Sequence, residues 1–271
     1  MSEYVDVDLS PPFYPFLSIL NKIINGDCLE VMKEIPARSI EMILCDLPYG
    51  LTNCKWDSII PLDKLWEQYL RIIKPNGVIA LTASQPFTSI LVCSQLPLFK
   101  HEWIWIKNQG SNFANTVREP MKEHESVLIF SMGKWTYNKQ MQERTGGGLS
   151  RTKYDVNLST KTENYGSFPG LEKQKLSNLR VPSSHQKFNT EKGFHPTQKP
   201  VDLFRYLIRT YTNKGDVVLD NCIGSGTTAI AAIRENRAFI GIEIENKFVK
   251  ISNDRIGDEI DFCELLKRGK T

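Results

Sequence analysis

Along most of the chain, short apolar runs rich in β-branched and aromatic residues alternate with stretches of helical periodicity. The runs 41–45, 78–82, 103–106, 126–130, 217–220 and 239–242 predict strands, several of them almost continuously hydrophobic. Continuous apolar strands are expected where helices cover both faces of a sheet. Helical spacing covers 29–35, 62–73, 86–95, 201–211, 227–235 and 246–256. Lys74-Pro75-Asn76-Gly77 and Asn213-Lys214-Gly215-Asp216 read as turns that close one element and open the next. The alternation predicts an α/β fold, a doubly wound and mostly parallel sheet.

That rhythm stops after Gly133 and resumes at Pro200. Residues 135–193 are polar and include Gly146-Gly147-Gly148. A loop that long inside a compact domain is usually functional or an inserted lobe. The expected organisation is therefore a main domain, 1–134 with 194–271, and an insertion at 135–193. Charge follows the same division. The 271 residues carry a net charge of +3, but residues 134–192 hold 11 Lys/Arg against 5 Asp/Glu, a net of +6. The remainder is left at −3, so the excess positive charge sits in one internal segment. It is either a surface that neutralises phosphates or a solvated loop with a biased composition.

Composition excludes several classes. Hydrophobic content of 41% and charged content of 24% are those of a globular protein. The six cysteines (Cys28, Cys45, Cys54, Cys93, Cys222, Cys263) form no CxxC pair, so neither a zinc site nor any other metal is expected. They read as reduced thiols of an intracellular protein. The N-terminal residues lack the pattern of a signal peptide, and no run approaches a membrane span. A cytoplasmic location and no membrane partner are the expectations.

Two strand ends carry candidate chemistry. After the run 217–220 comes Asn221-Cys222-Ile223-Gly224-Ser225-Gly226-Thr227-Thr228 and then an apolar helix. A Gly-x-Gly turn there lets a ligand approach the backbone amides at the carboxyl end of the sheet. A Walker loop is excluded because no Gly-Lys-Ser/Thr follows, and GxSxG and GxGxxG are not matched. The turn by itself is a cofactor loop or a tight connection. Glu243, ending the next strand, sits where an acidic side chain can accept from both ribose hydroxyls, or is a surface carboxylate.

The run 42–45 leads into Asp46-Leu47-Pro48-Tyr49-Gly50. Pro48 restricts Leu47 to an extended conformation, which frees the Leu47 carbonyl to face a pocket. Asp46 supplies a second acceptor and Tyr49 a flat aromatic face. That set suits a planar ring bearing an NH2 group, although Asp-x-Pro also makes an ordinary turn.

Taken together these motifs resemble the amino-methylating DNA methyltransferases, the N6-adenine and N4-cytosine enzymes of the permuted β-group. The resemblance rests on residues 25–50, on Trp103–Lys107 and 124–134, on His195-Pro196-Thr197-Gln198-Lys199-Pro200, and on 220–228 in that order. It implies a Rossmann-like methyltransferase fold, S-adenosylmethionine as cofactor, double-stranded DNA as partner, a bacterial or phage-encoded enzyme and the option of a homodimer. By position, Asp46 and the Leu47 carbonyl would accept the target amino hydrogens, with Pro48 shaping the turn and Tyr49 stacking on a flipped base. Asp220, Asn221, Gly224, Ser225, Gly226 and Thr227 would surround the methionine and ribose. Glu243 would hold the ribose, Asp27 with Cys28 would approach the cofactor's adenine, and Thr197 and Lys199 would line its amino-acid end. Two departures stand out: Leu47 where the family commonly has Pro, and Asn221-Cys222-Ile223 where it commonly has Pro-Phe. The second leaves an aromatic contact missing or supplied from elsewhere. Asp46 at the first tetrapeptide position associates with adenine N6. Cytosine N4, or a nucleic-acid-binding fold without catalysis, are the alternatives. The insertion, with Trp135, Tyr137, Tyr154, Tyr165, Phe168 and Phe188 among its basic residues, is the expected target-recognition region.

Overall fold

The computed structural model describes residues 13–50, 58–150, 155–156, 174–175, 177–195 and 197–268. In chain order the strands are β1 (Lys22–Asn25), β2 (Ile40–Cys45), β3 (Ile73–Ala83), β4 (Phe99–Ser111), β5 (Lys122–Phe130), β6 (Gln142–Glu143), β7 (Asp155–Val156), β8 (Gln174–Lys175), β9 (Leu179–Arg180), β10 (His185–Lys187), β11 (Val217–Asp220) and β12 (Ala238–Glu243). The α-helices are α1 (Phe13–Ile19), α2 (Cys28–Lys33), α3 (Leu62–Ile72), α4 (Phe87–Ser94), α5 (Gly147–Ser150), α6 (Val201–Tyr211), α7 (Thr227–Arg234) and α8 (Asn246–Arg268).

Eight strands form one sheet in the order β1-β12-β11-β2-β3-β5-β4-β10. Only β5 runs antiparallel to its neighbours. Period-two alternation divides the sheet's side chains between two layers. Met42, Leu44, Val78, Ala80, Val127 and Ile129 meet α6 and α7 on one face. Ile43, Cys45, Ile79, Leu81, Leu128 and Phe130 meet α3 and α4 on the other. Each helix turns an apolar stripe to its layer, such as Leu65, Trp66, Tyr69 and Ile72 of α3. Each such fully buried side chain contributes about 1.5–3 kcal/mol. The doubly wound architecture is the one the sequence pattern predicts.

Several boundaries differ. The expected turn at 74–77 lies inside β3, which starts at Ile73 and absorbs it as a register irregularity opposite Ile40 and Met42. α8 does not end near Ile256. Gly257 has open space around its Cα, and Glu259 forms a two-pronged ion pair with Arg234 at 2.9 and 2.7 Å, which anchors the continuation. β1 and β10 are not predicted by apolar pattern, because each is too short to show a period and their stability comes from backbone pairing.

The chain divides into two compact units, 1–138 with 184–271, and Lys139–Ser183. The smaller unit is narrower than the polar segment 135–193. Trp135 and Phe188 pack against the α6–α7 core layer of the larger unit. Trp105 Nε1 donates to the Phe188 carbonyl at 2.8 Å, and Asn138 N donates to the Thr210 carbonyl at 2.7 Å. Within the smaller unit, β6 pairs with β9 and β7 with β8, both antiparallel. Tyr154, Tyr165 and Phe168 lie outside the described residues, as does Pro196. No helix among the described residues is long and apolar enough to cross a membrane.

Candidate active site

The carboxyl ends of β1, β2, β11 and β12 meet around one cavity of about 660 Å3. Every predicted site residue except Gly226 borders it. Gly226 instead faces α8: with φ 87° it caps α7, and a Cβ there would come within 2.9 Å of Ser252 Cβ. Glycine at this position is thus a requirement of helix packing and left-handed backbone together.

On the β11–β12 side the partners are mostly near in sequence or on adjacent strands. Gly224 N donates to Glu243 Oε2 and Glu245 N to Oε1, both at 2.8 Å, which holds the carboxylate at the strand tip. Burial raises the Glu243 pKa above the usual glutamate range. The Glu243 carbonyl accepts from Gly26 N at 3.0 Å and from Asn25 Nδ2 at 2.8 Å, joining the β1 tip to β12. Asp27 then caps α2, its Oδ1 accepting from Leu29 N at 2.8 Å and Glu30 N at 3.3 Å. Asp220 is buried and accepts from Cys222 N at 3.0 Å and from the Thr228 hydroxyl. Burial nonetheless pushes its pKa up to about 7. The Cys222 thiol beside Cys28, together with burial, pushes the Cys28 pKa up and keeps it a thiol. Ser225 is held by Arg255, whose Nη1 reaches its carbonyl at 2.5 Å and its Oγ at 3.2 Å.

The departure at 221–223 has a structural explanation. Asn221 Oδ1 accepts from the buried Tyr69 hydroxyl. Ile223 is buried beside Gly241, where a Cβ would meet its Cδ1 at 2.5 Å. Aromatic surface comes from elsewhere, since Phe204 and Phe248 border the cavity and the His195 ring lies 4.4 Å from that of Phe248.

On the β2 side the partners come from across the chain. Asp46 Oδ1 accepts from the Tyr49 hydroxyl at 2.7 Å and from the Thr82 hydroxyl. Its Oδ2 accepts from Lys199 Nζ at 2.6 Å. Lys199, 7% exposed, also lies 3.4 Å from Glu125 Oε2, ion-pair range without hydrogen-bond geometry. Glu125 Oε1 in turn pairs with Lys107. Burial disfavours the Lys199 ammonium, but the charges of Asp46 and Glu125 outweigh it and its pKa is raised. The resemblance assigned Lys199 to the cofactor's amino-acid end, whereas its ammonium is committed to these two carboxylates. Thr197 stays at the cavity wall, its N donating to His195 Nδ1 at 3.2 Å. The Tyr49 ring stacks on Phe87 at 5.3 Å and has Lys199 Nζ 5.6 Å from its centroid. Leu47 buries its side chain in the α3–α4 core layer, which anchors the turn where the family commonly has Pro.

Glu125 and Lys107 carry no assigned role in the sequence. Both fall in stretches that carry the family resemblance, Trp103–Lys107 and 124–134, each as a charged residue adjoining an apolar run.

A carboxylate at one end of a cavity and a glycine turn with a fixed strand-tip carboxylate at the other suit a planar amine and a nucleoside. On a doubly wound sheet, that pairing is the one a methyltransferase uses. The match to known proteins is more specific: the N6/N4 family described as DNA methylase covers residues 40–254, and the chain belongs to it. It is 30% identical over 250 residues to the DNA adenine methyltransferase YhdJ of Escherichia coli (strain K12), covering 86% of this chain and 82% of that protein. Two solved structures share the fold. The M1.HpyAVI–SAM complex has a TM-score of 0.59 at 24% identity, over 86% of this chain and 98% of that one. The cytosine-N4-specific PvuII DNA methyltransferase has a TM-score of 0.61 at 16% identity, over 88% and 90%.

Proposed function

We propose that the protein transfers a methyl group from S-adenosylmethionine to the exocyclic N6 of adenine in duplex DNA. The observation that carries this reading is the Asp46 carboxylate, clamped by Lys199, Tyr49 and Thr82 at the edge of the cavity. A carboxylate offers about four acceptor sites. Three donors occupy Asp46, two on Oδ1 and one on Oδ2, so Oδ2 keeps a site for an amino hydrogen. Support for adenine comes from the carboxylate itself and from the relative named a DNA adenine methyltransferase.

The cofactor supplies an electrophilic sulfonium methyl. Glu243, already oriented by two backbone amides, would accept from the ribose hydroxyls, and Asp27 would approach the cofactor's adenine. Asp220, Asn221, Gly224, Ser225 and Thr227 would enclose the remainder, with Cys28 and Thr197 on the cavity wall. The target base lies inside a duplex and must be rotated out, at a cost of a few kcal/mol. Its amine is a poor nucleophile because the lone pair is delocalised into the ring. Hydrogen bonds from both amino hydrogens, to Asp46 and the Leu47 carbonyl, favour a more tetrahedral and reactive nitrogen. Pro48 keeps that carbonyl extended, and Tyr49 offers its ring to the base. In this reading Lys199 is a positioning residue for Asp46. Holding amine and methyl in line supplies much of the rate.

The unit Lys139–Ser183, from the basic part of the chain, is assigned target recognition. Basic side chains place phosphates and polar ones read base edges. Its affinity for duplex DNA should fall steeply with salt, and a flat response between low and moderate salt would remove the assignment. The central test is digestion of enzyme-treated DNA to nucleosides. N6-methyldeoxyadenosine is expected, absent with Asp46→Ala; N4-methylcytosine as the sole product would overturn the adenine reading.

A further inference from the structure

Beyond the cavity, β4 and β5 continue together as a two-stranded arm. Their pairing runs on to Ser111 and Lys122 after a register shift beyond Ile106. Gln109, Gly110, Ser111 and Lys122 of this arm border the same cavity as Asp46. The arm is closely built, since a Cβ at Gly110 would meet Met121 Cγ at 2.2 Å. The Met121 side chain crosses directly over the Gly110 backbone at that point.

The tip is ordered as well. Asn112 adopts φ 69°, a left-handed conformation that Asn tolerates better than most residues. Its Nδ2 donates to Glu119 Oε1, closing the loop. Asn115 N donates to the Asn112 carbonyl at 3.0 Å, Arg118 N to the Asn115 carbonyl at 2.9 Å, and Thr116 Oγ1 to the Phe113 carbonyl at 2.9 Å. On this tied loop Phe113 is 80% exposed and Val117 87% exposed. Two apolar side chains held out on a hydrogen-bonded tip, next to a substrate cavity, are placed to meet whatever approaches that cavity.

A base drawn from a duplex leaves a gap in the stack, and apolar side chains inserted at base steps are a recurrent way to open one. We propose that Phe113 enters the duplex and fills the space left by the target base, with Val117 against the neighbouring step. The occupant is duplex DNA because the arm is continuous with the cavity that receives the base. Arg118 on the tip and Lys122 at its root supply charge for flanking phosphates. Glu119 is tied to Asn112, and Glu123 lies beyond the tip on β5. The inference rests on the base-flipping reading above.

The test uses the full chain and two duplexes carrying its own methylation site, located by mapping methylated bases in DNA treated with the wild-type protein. One duplex is fully paired; the other has an abasic residue opposite the target base, which lowers the cost of extrusion. Phe113→Ala should lower kcat on the paired duplex roughly tenfold or more and restore near wild-type rates on the abasic one. Phe113→Trp should keep most activity on both. Equal paired-duplex rates for wild type and Phe113→Ala would overturn this inference alone. The same loss on both duplexes would also overturn it, and if a dimer dissociates at the same time, Phe113 belongs to an interface between copies. A wild-type protein that leaves no methylated base to map overturns the functional reading and this inference with it.

Discussion

The two ends of the cavity are built by different means. At the β11–β12 end, backbone amides of adjoining turns fix the side chains, as Gly224 and Glu245 fix Glu243. At the β2 end, Asp46 is held by an ion pair to Lys199, 153 positions away, which is flanked in turn by Glu125 and Lys107. Amide donors change little when a ligand arrives, so the first end is a rigid receptor. The second is a charge network with paired neighbours, whose strength depends on every member being present.

The strongest way to expose this contrast is Asp46→Ala. It should lower single-turnover methyl transfer by ~10³-fold or more, because it removes an acceptor aimed at the reacting amine, while leaving the dissociation constant of S-adenosylmethionine unchanged. Glu243→Ala should do the converse, weakening cofactor binding by ~10²-fold in calorimetry with duplex affinity retained, since it strands two amides and removes the ribose acceptor. If either variant damaged both quantities equally, the division into two ends would not hold.

Smaller effects sharpen it. Glu125→Gln keeps the shape but removes one of the two charges around Lys199. We expect kcat to fall about tenfold with KM for both substrates near wild type, a split that simple loss of stability would not produce. The pH response belongs to Asp220. Its folded pKa, raised to about 7 by burial, exceeds its ordinary value of 3.8, so the unfolded chain releases that proton first. Stability from this group is therefore full below the ordinary carboxylate range and lost as pH rises toward 7. Positive charge on the cofactor favours the ionised form, so cofactor affinity should rise about tenfold at most between pH 6 and 8. Asp220→Asn should flatten both profiles in thermal melts and in calorimetry.

The same contrast explains what could be read from the chain alone. The Gly-x-Gly turn and the Asp46–Gly50 turn are each contiguous in sequence, and Glu243 ends the very next strand, so all three are visible as motifs. The strands that carry them, β2, β11 and β12, are buried on both faces and so are nearly continuous apolar runs. Lys107 and Glu125 lie in stretches that carry the resemblance, but their role is not visible there, because it comes from pairing across β4 and β5 and from Lys199 arriving out of a distant segment. Lys199 itself is visible as part of a motif, but the group it touches is not. Trp135 and Phe188 were grouped with the polar insertion by composition, yet one tryptophan beside a polar run does not reveal that it packs on a core. β10 is three residues long and holds its place through the backbone of β4, which no side-chain pattern records.

The residues that flank the smaller unit, Asn138 and Ser184, are held within the larger one by main-chain hydrogen bonds. Asn138 N binds the Thr210 carbonyl at 2.7 Å, and the Ser184 carbonyl accepts from Ile104 N at 2.8 Å. With both flanks fixed in this way, residues 139–183 are expected to tolerate exchange for a stretch of different length, because lengthening a tethered loop costs little entropy and the flanking contacts are not part of what is replaced. A lineage or an engineer could then change what lies between the two flanks while the sheet and its cavity are inherited intact.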